Sequence, residues 1–292
     1  MAPYVDFPRP FTALMIAAQQ ELIRMPRISI AQTFESLRAK KQIALMPFVP
    51  AGFTSMEVTE AILPALEAGG ANLIEIGVPF SDPVADGPVI QAAFTEALAK
   101  KIKVADVFAA VSRARSKVSI PMLAMLSYSI VFRHGVAKFV KDAKAAGFDA
   151  LIIPDLPPPE AQAVCKIIRD GGLDTVLLVA PTTTPNRRAE IVKLSSGFVY
   201  YLSVSGITGE RTSLPADLAA NLAALKSLGS TPICVGFGIS TAAHVKQLAG
   251  AADGAIVGTA LVRRIAEHRE KTPAQIADVC RAYCQELLSG VR

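Results

Sequence analysis

Tryptophan is missing from this 292-residue chain, and histidine (3) and cysteine (4) are scarce. These shortages narrow the chemistry. Cys165, Cys234, Cys280 and Cys284 match neither a disulfide framework nor the paired CxxC spacing of a zinc site. Cys280 and Cys284 fall on one face of a predicted helix, and all four read as free thiols. His134, His244 and His268 lie in or beside helical segments, away from one another and from any cysteine at metal-ligand spacing, and read as surface or packing residues. No GxGxxG opens the first unit, no GxxxxGK or GxSxG occurs, and no lysine falls inside a predicted strand. A dinucleotide fingerprint, a P-loop, a serine nucleophile elbow and a Schiff-base lysine are thereby excluded. Non-covalent acid–base chemistry is what remains.

Charge is also low, at 19% Asp, Glu, Lys and Arg. The net charge of +5 and pI near 9.0 come from scattered Lys and Arg with no nucleic-acid-binding motif, so the chain reads as mildly basic rather than as a polyanion binder. Uncharged stretches such as Val118–Phe132 and Leu194–Gly209 contain Ser, Tyr, Pro or Gly and fall short of the roughly 20 apolar residues of a membrane span. The start Met-Ala-Pro-Tyr-Val-Asp lacks a basic region, and no cleavage site follows the apolar piece Phe11–Ala18, so a cytoplasmic protein is expected. What is abundant is apolar material: 51% of residues are hydrophobic and the mean hydropathy is +0.39, enough for a large core.

That material is distributed in eight short runs: Ile43–Pro47, Leu73–Gly77, Met122–Leu126, Ala150–Pro154, Thr175–Val179, Val199–Ser203, Ile233–Gly236 and Ala255–Val257. Nearly every residue in them is apolar, as strands buried on both faces require. Between them lie candidate helices such as Met56–Ala68, Val107–Ser116, Val136–Ala146, Pro159–Asp170, Arg187–Leu194, Leu218–Leu228 and Ala242–Leu248. Eight consecutive βα units predict an α/β protein built as one (β/α)8 TIM barrel, a fold that commonly needs about 250 residues. Residues 1–29 form an N-terminal extension whose role is not readable, and residues 30–292 form the barrel. A helix near Ile30–Lys40 is expected to cap the barrel bottom, and Pro273–Leu288 to form a closing helix.

Active sites of such barrels lie at the C-terminal ends of the strands. There the second unit reads Glu75-Ile76-Gly77-Val78-Pro79-Phe80-Ser81-Asp82-Pro83-Val84-Ala85-Asp86-Gly87-Pro88, with one carboxylate inside an apolar strand and others in a Pro/Gly-rich loop. Burial raises the pKa of a carboxyl toward neutrality, where it can both give and take a proton. Periodicity alone equally permits Glu75 to be paired with a basic residue as a brace, and Asp82 or Asp86 to be a turn former or helix cap. After the last three strands come Ser205-Gly206-Ile207-Thr208-Gly209, Gly236-Phe237-Gly238-Ile239-Ser240 and Gly258-Thr259. Glycines in these places admit close backbone approach, and with a helix N-terminus they suit a phosphate. Ordinary turn geometry is the other reading of each, accepted sooner for Gly206 than for Gly238 or Gly258.

The run from Glu75 to Pro88, with the three glycine loops in the same order, resembles the tryptophan synthase α subunit family from about Ile30 to His268. The resemblance implies retro-aldol cleavage of indole-3-glycerol phosphate to indole and glyceraldehyde 3-phosphate, with no cofactor in this chain. It implies Glu75 and Asp86 as the catalytic pair, with Tyr200, Thr208, Gly209, Phe237, Gly238, Gly258 and Thr259 in substrate binding. It also implies a pyridoxal-phosphate β subunit as partner in an αββα assembly. A stand-alone indole-3-glycerol phosphate lyase, a non-catalytic activator of a β subunit and another phosphate-binding barrel remain alternatives. The sequence departs from the family at Pro50 and Phe53, where Thr and Asp are usual, at Ser127 and Ser129, where a Tyr-x-Asn-Pro pattern is common, and at Val204. Loss of an aromatic at Ser127 is expected to widen the pocket, and Pro50 and Phe53 to remove hydrogen bonds near Glu75.

Overall fold

Alternation within the apolar runs decides where each side chain goes, because successive residues of a strand face opposite sides of the sheet. In the second run, Leu73 joins an inner cluster with Met46, Leu123, Ile152, Val176, Phe198, Tyr200 and Ile256, while Ile74 and Ile76 pack in the outer layer under the helices. Glu75 shares the parity of Leu73 and so belongs to the inner face. The computed structural model of the chain describes residues 27–82, 86–203, 215–236 and 238–291. Its strands are β1 (Ala44–Pro50), β2 (Ile74–Gly77), β3 (Met122–Met125), β4 (Ala150–Ile152), β5 (Asp174–Val179), β6 (Val199–Leu202), β7 (Ile233–Gly236) and β8 (Gly254–Val257). Each is parallel to the next, and β8 returns to β1 through pairs such as Met46 with Ile256, which closes the expected eight-stranded barrel.

The expected capping helix is α1 (Ile30–Ala39), started by a capping box in which Ser29 and Gln32 satisfy each other's backbone N–H groups. Its residues Ile30, Phe34 and Leu37 plug the N-terminal end of the barrel, with Phe34 edge-on to Phe198 at 6.1 Å. Residues 1–26, most of the expected extension, lie outside the described residues. Arg27 is held to the barrel by Asp149 at 2.6 Å, and Ile28 N–H by the Ser119 carbonyl at 3.1 Å.

The outer ring contains α2 (Met56–Ala68), α3 (Pro88–Ala99), α4 (Val104–Ala114), α5 (Tyr128–His134), α6 (Val136–Ala146), α7 (Pro158–Asp170), α8 (Pro185–Leu194), α9 (Leu218–Lys226), α10 (Ala242–Leu248) and α11 (Thr259–Glu267). The closing helix is α12 (Pro273–Leu288), which lies against α2 and buries Cys280 and Cys284 as free thiols; Cys165 and Cys234 are also free and buried. Three of these helices, α3, α5 and α11, are not among the predicted ones. In α3 the buried residues Ile90, Ala93, Phe94 and Ala97 have helical spacing and follow directly on the Gly/Pro-rich loop. Strand β1 runs past Pro47 to Pro50, beyond the predicted end. A proline withholds one N–H from the ladder, and β1 continues because Phe48, Val49 and Pro50 still pair with Glu75, Ile76 and Gly77.

Two inner glycines make room for aromatic rings beside the barrel mouth. A Cβ on Gly77 would lie 2.5 Å from the Phe48 ring, and one on Gly236 would lie 2.4 Å from the Tyr200 ring and hydroxyl. Gly236→Ala is therefore expected to push the Tyr200 ring from its seat and to lower unfolding stability by about 1–3 kcal/mol, which urea denaturation would measure.

Candidate active site

Glu75 sits in β2 between Phe48 of β1 and Leu123 of β3, 1% exposed, and neither carboxyl oxygen has a hydrogen-bond partner among the described residues. A brace at Glu75 requires a basic neighbour bonded to it, and the described residues supply none. An unpaired ionised carboxylate in such a place costs several kcal/mol, so the group keeps its proton instead. Burial, reinforced by the negative charge of Asp86, pushes the Glu75 carboxyl up to about 8.

Asp86 precedes Gly87, the N-cap of α3, whose first residue is Pro88. Gln91 Nε2 fixes the Asp86 backbone by donating to its carbonyl at 2.6 Å, while the half-buried side chain lines the cavity at the barrel mouth. Burial raises the Asp86 carboxyl less, to about 6. The ordering has a simple basis: the shallower group ionises first, while Glu75 is still neutral and exerts no charge on it. Asp82 also lines the cavity but is exposed, and accepts from Ser81 Oγ at 2.8 Å. Residues 83–85 lie outside the described residues.

The cavity holds about 150 Å³, the order of size that takes up an aromatic ring. Val78, Phe80, Phe94, Met125, Leu126 and Pro154 give it apolar walls, and Ser127 and Asp155 a polar end. Ser127, at the position where the sequence lacks an aromatic, donates to Asp155 at 2.6 Å, and Tyr128 N–H donates to the other oxygen of the same carboxylate at 2.7 Å. These bonds tie the loop after β3 to the loop after β4. Phe53 is buried in the outer core, where it offers Glu75 no hydrogen bond.

Tyr200 lies on the inner face of β6, where burial first, and then the charges of Glu75, Asp86 and Cys234, hold its phenol protonated well above the usual range. On the same side of the barrel, Gly238 adopts φ +84°, a left-handed conformation that favours glycine. Gly258 caps α11, so that Thr259 opens a helix whose first N–H groups are unused by the helix itself. A Cβ on Gly258 would meet only Phe48, at 3.8 Å, and Phe48 is the neighbour of Glu75. The structure thus brings Glu75, Asp86 and Tyr200 together and sets Gly258 and Thr259 beside them. Thr208, Gly209 and Phe237 lie outside the described residues. Phe48, Phe94 and Asp155 also belong to the site, and the sequence motifs do not mark them. Asp155 carries a usable signal, a carboxylate just past the end of β4, whereas Phe94 is placed only by the unrecognised helix α3.

A family model described as tryptophan synthase alpha chain matches residues 34–292. The tryptophan synthase alpha chain of Rhodopirellula baltica is 46% identical over 256 residues, covering 87% of this chain and 92% of that protein. That of a Synechocystis species is 42% identical over 264 residues, covering 90% and 99%. Among solved structures, Mycobacterium tuberculosis tryptophan synthase superposes with a TM-score of 0.83 at 37% identity, covering 91% of this chain and 99% of that one. A mutant tryptophan synthase alpha-subunit from Pyrococcus furiosus gives 0.77 at 35% identity, covering 85% and 98%.

The buried acid has a consequence for stability. Folding raises the Glu75 pKa from 4.5 to about 8, so the folded state binds the extra proton and stability falls as pH rises through that interval. Glu75→Gln removes the effect. Its thermal midpoint is expected to exceed that of the parent by several degrees at about pH 9 and to approach it below about pH 5, as scanning calorimetry across pH would register.

Proposed function

The chain belongs to the tryptophan synthase alpha chain family and cleaves indole-3-glycerol phosphate to indole and glyceraldehyde 3-phosphate, and we propose that Glu75 and Asp86 divide that reaction between them. The observation that carries this reading is the unpartnered, buried Glu75 carboxyl, neutral up to about 8, beside an Asp86 that is ionised above about 6. Between those values one group is an acid and the other an anion, the condition for two carboxyls to take opposite roles.

Neutral Glu75 gives its proton to C3 of the indole ring, which turns the ring nitrogen into a cationic N–H donor. The Asp86 carboxylate accepts that hydrogen bond and stabilises the developing charge. Glu75, now ionised and without a counter-ion, takes the proton of the glycerol hydroxyl on the carbon attached to C3. The C3–carbon bond breaks, its electron pair neutralises the ring, and the hydroxyl carbon becomes the aldehyde. Glu75 ends as it began and no electrons are gained or lost, so neither metal nor organic cofactor is required.

Tyr200, Gly238, Gly258 and Thr259, with Thr208, Gly209 and Phe237, are assigned to substrate binding. The glycine loops and the N-terminus of α11 support a phosphate seat next to Phe48. Members of this family work with a β subunit, and we assign that partner, with its pyridoxal phosphate and the αββα assembly, to the barrel mouth. Phe132, 65% exposed, is the most exposed large hydrophobic side chain among the described residues, and its ring lies 5.9 Å from Tyr128, which shares Ser127 and Asp155 with the rim of the cavity. No helix among the described residues is long and apolar enough to cross a membrane. A reducing cytoplasm suits its four unpaired buried thiols.

Indole release from indole-3-glycerol phosphate is the test. Glu75→Gln is expected to lose on the order of 10³-fold or more in kcat and Asp86→Asn on the order of 10²-fold; near-parent turnover in either removes that residue from the mechanism. The profile of kcat/KM against pH should be bell-shaped, with limbs near about 6 and about 8 set by ionisation of Asp86 and of Glu75. A cognate β subunit is expected to stimulate release strongly. High activity unaffected by β would mark a stand-alone lyase, and none in either condition a non-catalytic activator.

A further inference from the structure

The closing helix α12 reaches toward the barrel mouth through one side chain. Tyr283 is 2% exposed, and its phenol donates to the Ser240 carbonyl oxygen at 2.8 Å. Ser240 follows Gly238 in the loop after β7. The face of the same ring carries the Arg264 guanidinium, 4.0 Å from its centroid, and Arg264 is also paired with Glu286 at 3.3 Å. Arg264 belongs to α11, the helix that opens at Thr259. One aromatic ring therefore contacts the loop after β7 and the last turn of α11, the helix whose N-terminus is assigned to the phosphate. Two further contacts tighten the first. His244 Nδ1 lies 3.3 Å from the Ser240 N–H, so both backbone groups of Ser240 are engaged. Beyond α12, a Cβ on Gly290 would lie 2.0 Å from the Ala242 carbonyl, so the chain presses directly on the start of α10.

We propose that Tyr283 is a positioning residue that holds the loops after β7 and β8 in register, so that the closing helix sets the affinity for the substrate's phosphate. The proposal rests on the phosphate seat assigned above. A seat built from backbone N–H groups works only if they converge within a fraction of an ångström, and neither loop is long enough to correct a shift of its partner. The cavity is walled by residues from the loops after β2, β3 and β4 and from α3 rather than by α12, so loss of the phenol weakens phosphate binding and leaves the chemical step alone.

The experiment uses the full chain and two probes, glycerol 3-phosphate and indole, titrated by calorimetry together with steady-state kinetics. Tyr283→Phe is expected to weaken glycerol 3-phosphate about five- to tenfold, the loss of one buried hydrogen bond, with indole affinity unchanged. KM for indole-3-glycerol phosphate should rise by the same factor, with kcat within about twofold. Arg264→Met should act in the same direction. Gly258→Val is the control for the seat and should abolish glycerol 3-phosphate binding. Unchanged binding in Tyr283→Phe while the control loses it overturns the positioning role, as does equal weakening of both probes, which would mark a general structural effect. Glycerol 3-phosphate binding that survives Gly258→Val overturns the seat itself, and the proposal with it.

Discussion

One carboxyl group without a partner among the described residues governs this structure. Glu75 occupies an inner position of β2, with Leu73 and Leu123 on the same face and Phe48 opposite it on β1, and nothing among the described residues donates a hydrogen bond to it. A barrel wall tolerates such a group only in its protonated form, since an unpaired buried charge would cost more than one carboxyl's share of the fold's stability. The fold therefore holds a neutral acid at neutral pH. The same absence of partners makes the anion left behind after proton transfer a strong base, and this suits a reaction that needs the proton given at one atom and collected at another.

Depth separates the two carboxyls. Both are raised by burial, but Glu75 lies within the sheet while Asp86 stands on a loop pinned by Gln91 and the N-terminus of α3. The difference makes one group acidic enough to be an anion while the other stays neutral, with no third charge needed to keep them apart. Packing around them follows the same economy. Gly77 and Gly236 leave space for Phe48 and Tyr200, and Gly258 leaves an open side next to Phe48. The proposed chemistry and the proposed phosphate seat thus meet across one ring.

Much of the architecture is legible in the sequence because parallel strands covered on both faces must be apolar at nearly every position, and eight such runs leave few topologies. Glu75 stands out against that background for the same reason. Boundaries are less legible: Pro47 reads as a strand end, yet β1 runs on to Pro50 because neighbouring residues still find partners on β2. Helix α3 is obscured by the Pro/Gly loop before it, although its apolar spacing is regular. Whether Glu75 is paired or alone is a question about neighbours from other strands, and periodicity holds no information on it. Phe48 beside Glu75, and Asp155 joined to Ser127, come from register and cross-loop contacts that local patterns do not encode. The resemblance to a known family supplied roles for Tyr200, Gly238, Gly258 and Thr259 that composition and spacing alone leave open.

The most direct measurement is the titration of Glu75 itself by isotope-edited infrared difference spectroscopy, comparing the parent with Glu75→Gln to isolate the carboxyl C=O stretch. The account expects that band to persist through neutral pH and to fade near about 8. Disappearance of the band near 4.5, the value of an ordinary exposed glutamate, would contradict it and would require a counter-charge in the barrel wall.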